Sequence, residues 1–344
     1  MSTKNQISGL VKLGNYINLF LNGKNENFTK DEEEFQSKLN RAEVENRWFS
    51  QENLRFCLKN WADLFTQENL ENWISTYEIS KNPKKVGLIL AGNIPLVGLH
   101  DVLSVVFSNH IALIKLSSKD KVLLPFLLEK WEAFSAEKLQ IEYVERLIEN
   151  DAVIATGSNN TARYLEYYFK DKLSIIRKNR TSISVLKGDE TNEDLQLLAK
   201  DIFKYFGLGC RNVTKLFIPE DFKLDRLFEN FFEYSEIINH NSYANNYDYH
   251  KAILLLNQDV FWDNNFVMLK EETSLFSALS IIHFTRYKNI SEVEKFIAEN
   301  KDQIQCIVAQ PELNLDSINF GEAQYPKLDD YADNVDTMKF LEVI

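Results

Sequence analysis

Cysteine is scarce. Only Cys57, Cys210 and Cys306 occur in 344 residues. They are odd in number and far apart, and no C-x-x-C pair exists. A disulfide framework is therefore not expected. The five histidines stand at no ligand spacing from any cysteine, so the common zinc patterns are absent and no metal site is expected. No apolar run approaches the length of a membrane-spanning helix. The N-terminus shows no apolar h-region of a signal peptide. Together these absences predict a protein of the reducing cytoplasm. Positive charge is also short, with 39 Lys and Arg against 51 Asp and Glu, a formal net charge of −12. That balance argues against nucleic acid as a partner, because phosphate binding needs clustered Lys and Arg. Internal repeats, low-complexity tracts and a G-x-G-x-x-G fingerprint are missing too.

What is present is an ordinary globular composition, 44% hydrophobic and 26% charged. The length fits roughly two domains. Residues 1–80 read as helices. Ile7, Leu10, Val11, Tyr16, Ile17 and Phe20 recur at helical spacing. Thr29 stands as an N-cap with Glu32 three residues on, a capping-box arrangement. The plain role for this segment is packing on a larger domain.

The character changes at Pro83. Apolar runs of strand length then alternate with helical stretches, as in a largely parallel, doubly wound sheet. The strands are expected at 85–90, 111–116, 140–144, 150–156, 173–176 and 182–186. A second α/β run follows, with strands at 213–218, 251–256, 277–284 and 303–309 and helices at 193–206, 222–234 and 291–299. The polar, aromatic stretch 240–250 reads as a surface loop, and Met338–Leu341 as part of a final extended piece.

Four places carry candidate chemistry. Cys210 follows Gly207 and Gly209 and precedes the strand Val213–Ile218. A thiol on such a turn can face a cleft and act as a nucleophile; the bland alternative is a small buried hydrophobe. Asn93 lies on the turn after the first strand. Its amide is either a rigid donor to an oxyanion or filler for a left-handed turn position. Lys115 ends the second strand, where an ammonium can meet a ribose hydroxyl or a phosphate, or simply snorkel. Gly157 and Ser158 form a turn between strand and helix, where unpaired N–H groups favour phosphate.

These pieces occur in one order. Val86–Leu96, Asn109–Ser118, Ala155–Ser158 and the Cys210 loop resemble the aldehyde dehydrogenase superfamily. Within it the chain looks like the LuxC acyl-CoA reductase family, and the tail from Phe320 to Met338 is similar as well. The resemblance covers roughly residues 84–344. It implies an α/β protein of aldehyde-dehydrogenase-like fold, with two doubly wound α/β domains and a helical N-terminal segment. The divisions expected are the segment 1–80, a cofactor domain 81–190, a catalytic domain 191–318 and a tail 319–344. The tail would return to the cofactor domain or make an oligomer contact.

By position, the resemblance makes Cys210 the nucleophile and Asn93 the oxyanion amide. Lys115, Gly157 and Ser158 become contacts of a nicotinamide cofactor. Glu272 matches the glutamate that holds the nicotinamide ribose, with Glu271 the alternative. The cofactor implied is NADPH, NADH being possible, and CoA would be a product. A homo-oligomer is expected. One departure carries weight. Where hydrolytic members place Glu-Leu-Gly-Gly, this chain has Ile176–Thr181 and no general base for water. Arg177 and Arg180 stand there instead, either facing solvent or pairing with a phosphate. The activity implied is reduction of a fatty acyl-CoA to the aldehyde through an S-acyl cysteine. Non-redox acyl transfer or acyl binding on the same scaffold is the competing reading.

Overall fold

A computed structural model describes residues 2–23 and 29–344. The chain divides into two compact units: Met1–Lys178 with Lys327–Ile344, and Asn179–Pro326.

The first unit opens with four helices: α1 (Thr3–Asn22), α2 (Lys30–Glu45), α3 (Gln51–Leu64) and α4 (Gln67–Ile74). Thr29 caps α2, with its side chain on the Glu32 N–H and the Glu32 carboxylate on the Thr29 N–H. The five-stranded sheet follows as β1 (Lys85–Ile89), α5 (Leu99–Phe107), β2 (Ile111–Lys115), α6 (Leu123–Ser135), β3 (Ile141–Tyr143), β4 (Ala152–Thr156), α7 (Asn159–Tyr168) and β5 (Leu173–Arg177). Helix α1 lies against α6. A Cβ at Gly9 would stand 2.0 Å from Ser135 Oγ, so only glycine permits this approach. The Trp131 indole N–H donates to Gln6 O at 2.9 Å on the same contact.

The strand order is β3-β2-β1-β4-β5, all parallel. The chain leaves β1 to one side for β2 and later returns to its other side for β4. A crevice forms at such a switch point, beyond the carboxyl ends of the strands. Residues 327–344 rejoin this unit through a run of hydroxyl hydrogen bonds. The Trp73 indole donates to Tyr331 Oη at 2.7 Å, Tyr331 donates to Tyr77 Oη at 2.9 Å, and Tyr77 donates to Asp336 Oδ2 at 3.0 Å. The chain then forms a helix at Thr337–Glu342, capped by Asp336. The extended tail expected there is corrected: the Asp336 carboxylate takes the Lys339 N–H and starts a helical turn.

The second unit contains β6 (Thr181–Val185), α8 (Asn192–Phe203), β7 (Val213–Pro219), α9 (Asp225–Phe231), α10 (Asn241–Leu256), β8 (Trp262–Asp263), β9 (Met268–Glu271), β10 (Ile281–Tyr287), α11 (Ile290–Asn300) and β11 (Ile304–Ala309). Its sheet runs β11-β6-β7-β10-β9-β8, parallel except for the β8–β9 pair. One face packs on α8 and α9 through Leu195, Leu198, Ile202, Leu227 and Phe231. The other buries Phe217 and Val293 with Ile183 and Val185.

Three expectations change in this unit. Strand β6, read as closing the first sheet, lies between β11 and β7 in the second, so the sheets part after Lys178. Residues 240–256 are not a loop and a strand but the single helix α10, with His240 as N-cap. The strand expected at 277–284 begins at Ile281, because Ser277 and Ser280 spend their hydroxyls on Ile281 O and Leu279 O in a preceding turn.

Candidate active site

Cys210 sits at the amino ends of the strands of the second sheet, on the loop from α8 to β7. The thiol-bearing residue is half-buried. The loop begins with an unusual backbone. Tyr205 and Phe206 take φ of 54° and 58°, and Gly207 follows at 76°. Two aromatics in left-handed geometry are costly and persist only where the surroundings fix them.

Asn212 does that fixing. Its buried amide donates to Asp201 O at 3.1 Å, Ile202 O at 3.1 Å and Lys204 O at 2.8 Å, which are carbonyls at and just past the end of α8. Its Oδ1 accepts from the Gly209 N–H at 2.8 Å. Helix ends leave such carbonyls without partners, and here one side chain collects three of them. Ser182 holds the other side of the loop. Its hydroxyl donates to Cys210 O at 3.0 Å and lies 2.9 Å from Cys306 Sγ. Arg211 Nε donates to Ala323 O at 2.6 Å. The peptide of Cys210 is therefore braced by Ser182, and its neighbours by Asn212 and Arg211.

Glu272 lies beyond the carboxyl end of β9, so it and Cys210 mark opposite ends of parallel strands. Its carboxylate accepts the Thr273 N–H at 2.9 Å and lies 3.5 Å from Lys270 Nζ. The Thr273 hydrogen bond is the main reason its carboxyl titrates below the usual carboxylate range. The side chain that fixes its backbone is Lys215, fully buried in β7. Lys215 Nζ donates to Glu272 O and, at 2.5 Å, to Thr285 Oγ1. Burial pushes the Lys215 ammonium down to about 8, against the opposing pull of the Glu272 and Glu271 charges.

The remaining expected residues share one edge of the first sheet. β1 and β2 are in register, with Ile89 opposite Lys115, and Ile89 is also opposite Ala155 of β4. The carboxyl ends therefore align, and Asn93, Lys115, Gly157 and Ser158 all lie just beyond or at them. Asn93, Lys115 and Ser158 are exposed. Ser158 caps α7 through the Thr161 N–H at 3.3 Å. The loop bearing Asn93 is tied down by two buried side chains. Asp120 Oδ2 accepts the Leu96 N–H at 2.9 Å, and Asn46 Nδ2 donates to Gly92 O at 3.2 Å.

Arg177 is corrected. It is neither solvated nor turned to a phosphate. Its guanidinium is buried, 2.6 Å from Asp101 Oδ2 and 3.0 Å from Thr337 Oγ1. Arg180 Nη1 donates to Ile304 O at 3.2 Å. Sequence reasoning also passed over Asn212, Ser182 and Lys215. Lys215 alone had left a trace, a lysine inside the apolar run Val213–Ile218.

A family model described as acyl-CoA reductase (LuxC) matches residues 22–227. The chain belongs to the LuxC acyl-CoA reductase family. The matched span contains Asn93, Lys115, Gly157, Ser158 and Cys210 and ends before Glu272. No curated protein matches this LuxC-family sequence. Solved aldehyde dehydrogenases share its fold. Aldehyde dehydrogenase 21 from Physcomitrella patens, solved with the reaction product succinate, is 14% identical with a TM-score of 0.64, over 90% of this chain and 73% of that one. Aldehyde dehydrogenase C from Pseudomonas syringae, in a mutant form with NAD+ and octanal, is 11% identical with a TM-score of 0.65, over 90% and 73%. An NAD-dependent aldehyde dehydrogenase from Sinorhizobium meliloti is 12% identical with a TM-score of 0.65, over 96% and 72%. This LuxC-family chain is an enzyme that acts on acyl or aldehyde groups. Among the described residues no helix is long and apolar enough to cross a membrane.

Proposed function

We propose that this chain reduces an acyl-CoA thioester to the aldehyde through an S-acyl Cys210, with NADPH as reductant. The observation that carries the reading is the braced Cys210 loop. A half-buried thiol stands on a backbone that Asn212 and Ser182 fix from both sides, which is what a nucleophile needs for repeated attack in one geometry. The Cys210 thiolate attacks the thioester carbonyl. The bond from that carbon to the CoA sulfur breaks, and CoA takes a proton and leaves. A nicotinamide cofactor, when bound, supplies two electrons as hydride to the S-acyl carbonyl. Collapse of the resulting thiohemiacetal breaks the bond to Cys210 Sγ and frees the aldehyde. Asn93 is assigned the oxygen that gathers charge in both steps.

The first unit suits a dinucleotide. Its switch point brings Gly157, the capped start of α7 and Lys115 to one sheet edge, the arrangement that takes a pyrophosphate and a ribose. Lys115, a cation at the end of β2, favours a 2′-phosphate over a bare 2′-hydroxyl there, hence NADPH over NADH. Glu272 receives no ribose in this proposal, because it stands at the end of the strands opposite Cys210, whose acyl group takes the hydride.

The decisive experiment follows nicotinamide absorbance in the purified chain with acyl-CoA, alongside intact-mass detection of the S-acyl enzyme. NADPH oxidation that needs acyl-CoA, lost together with S-acylation in Cys210→Ala, is the expected result. S-acylation without NADPH or NADH oxidation would replace reduction by acyl transfer. Asn93→Ala is expected to lower turnover by roughly two orders of magnitude, the usual loss for one oxyanion donor; an unchanged rate would leave Asn93 a turn residue.

A further inference from the structure

We infer that the cavity beside the Cys210 loop holds the hydrocarbon chain of the acyl group and buries about ten of its carbons. This inference rests on the proposed function and adds to it the class of substrate.

The cavity lies wholly within the second unit and measures about 250 Å³. Residues on both sides of Cys210 line it, Gly207 and Leu208 before and Val213 and Thr214 after. The strained Phe206 forms part of the same wall, its ring against that of His240 with centroids 4.2 Å apart. The opposite wall is the turn 277–280 that precedes β10, with Leu279 facing Gly207. Strain in such a place is maintained for a purpose when the surroundings over-determine it. Here it puts an aromatic ring and a side-chain-free glycine side by side at the cavity wall.

The lining chemistry selects the occupant. No charged side chain lines the cavity. Four hydroxyl residues do, and each is already engaged with protein. Tyr243 Oη donates to Phe266 O at 3.0 Å, Ser277 Oγ to Ile281 O at 2.6 Å and Ser280 Oγ to Leu279 O at 2.5 Å. Thr214 Oγ1 lies 2.6 Å from Thr181 Oγ1. With those donors spent, a polar ligand gains little here, whereas a methylene chain gains by leaving water. An apolar cavity of about 150 Å³ takes a six-carbon benzene, so this one takes roughly ten carbons.

Two measurements test the assignment. The first is the rate of Cys210 S-acylation, without nicotinamide, across straight-chain CoA esters from butanoyl to hexadecanoyl. The rate constant should rise with chain length and level off near decanoyl. Ala278→Phe, which fills the cavity, should lower the decanoyl-to-butanoyl ratio by roughly a hundredfold, since each displaced methylene forfeits its burial. Leu279→Ala should move the plateau to longer chains. Identical profiles in all three proteins, with S-acylation intact, would overturn the assignment and leave the proposed function standing. The second measurement is calorimetric titration with decanol, which needs no reaction. If no CoA ester acylates the protein, the proposed function falls, yet decanol binding lost in Ala278→Phe would still support the cavity as an alkyl site. Equal binding in folded wild type and Ala278→Phe would overturn it.

Discussion

Asn212 shows how much one side chain can organise. Each of its amide groups replaces a backbone partner: the donors serve carbonyls at the end of α8, and the acceptor serves the Gly209 N–H. Asn212→Ala would leave these groups buried and without that partner, at about 2–4 kcal/mol. Urea unfolding should show that loss, and alkylation of Cys210 by iodoacetamide should change rate as the loop relaxes. An unaltered midpoint and alkylation rate would mean that the loop holds itself. Asp120 has a different signature. Burial raises its carboxyl from the ordinary 3.8 to about 6, opposed by the Leu96 N–H. Its Oδ1 is buried with no hydrogen-bond partner. The folded state therefore binds more protons than the unfolded state between those two values. Stability falls as pH rises through that window and is flat above it. Asp120→Asn keeps an oxygen for the Leu96 N–H and removes the titration. Relative to wild type, the variant should gain stability between about pH 4 and pH 6; parallel pH profiles would refute the assignment.

At the scale of elements, the buried ion pair of Arg177 and Asp101 joins β5 to α5, and Thr337 adds the last helix. Removing one partner strands a charge in the interior. Asp101→Ala should cost about 3–5 kcal/mol in chemical unfolding, whereas replacing both residues by apolar ones of similar size should cost far less. Equal losses in the two variants would show that side-chain volume, not charge, matters there. The same residue shows where sequence reading stops. An arginine at the end of a strand looks solvated unless its distant partner is known, and Asp101 stands 76 positions away. The alternation of strands and helices was legible because each strand is a short apolar run closed by a turn. Which sheet a strand joins was not, and β6 has nothing in its five residues to assign it. Lys251–Leu256 is apolar over a strand's length, so periodicity could not separate it from a buried helix. The start at His240 decides for α10, and an imidazole is an uncommon N-cap. Of the site, glycines and ordered turns pointed to Cys210 and to the edge residues. The bracing by Asn212, Ser182 and Lys215 depends on contacts that spacing does not record.

For the whole molecule, the sharpest question is what becomes of an acyl group once it is on Cys210. A thioester can be reduced, returned to a thiol or hydrolysed, and hydrolysis at neutral pH needs a base to activate water. Segment 176–181 contains no carboxylate, and Arg177, within it, is committed to Asp101. Neither supplies that base. The acyl-enzyme should consequently outlast the reaction that makes it. With acyl-CoA and no nicotinamide, the S-acyl form should accumulate to about one group per chain. Added CoA should remove it as acyl-CoA, because thiol exchange needs only a second thiolate. NADPH should remove it as aldehyde, and free fatty acid should stay a minor product in either case. Intact-mass spectrometry with chromatographic analysis of the released chains reads all three fates at once. Fatty acid as the main product would show that water is activated by a group elsewhere in the molecule, and the chain would then be a thioesterase on a dehydrogenase fold.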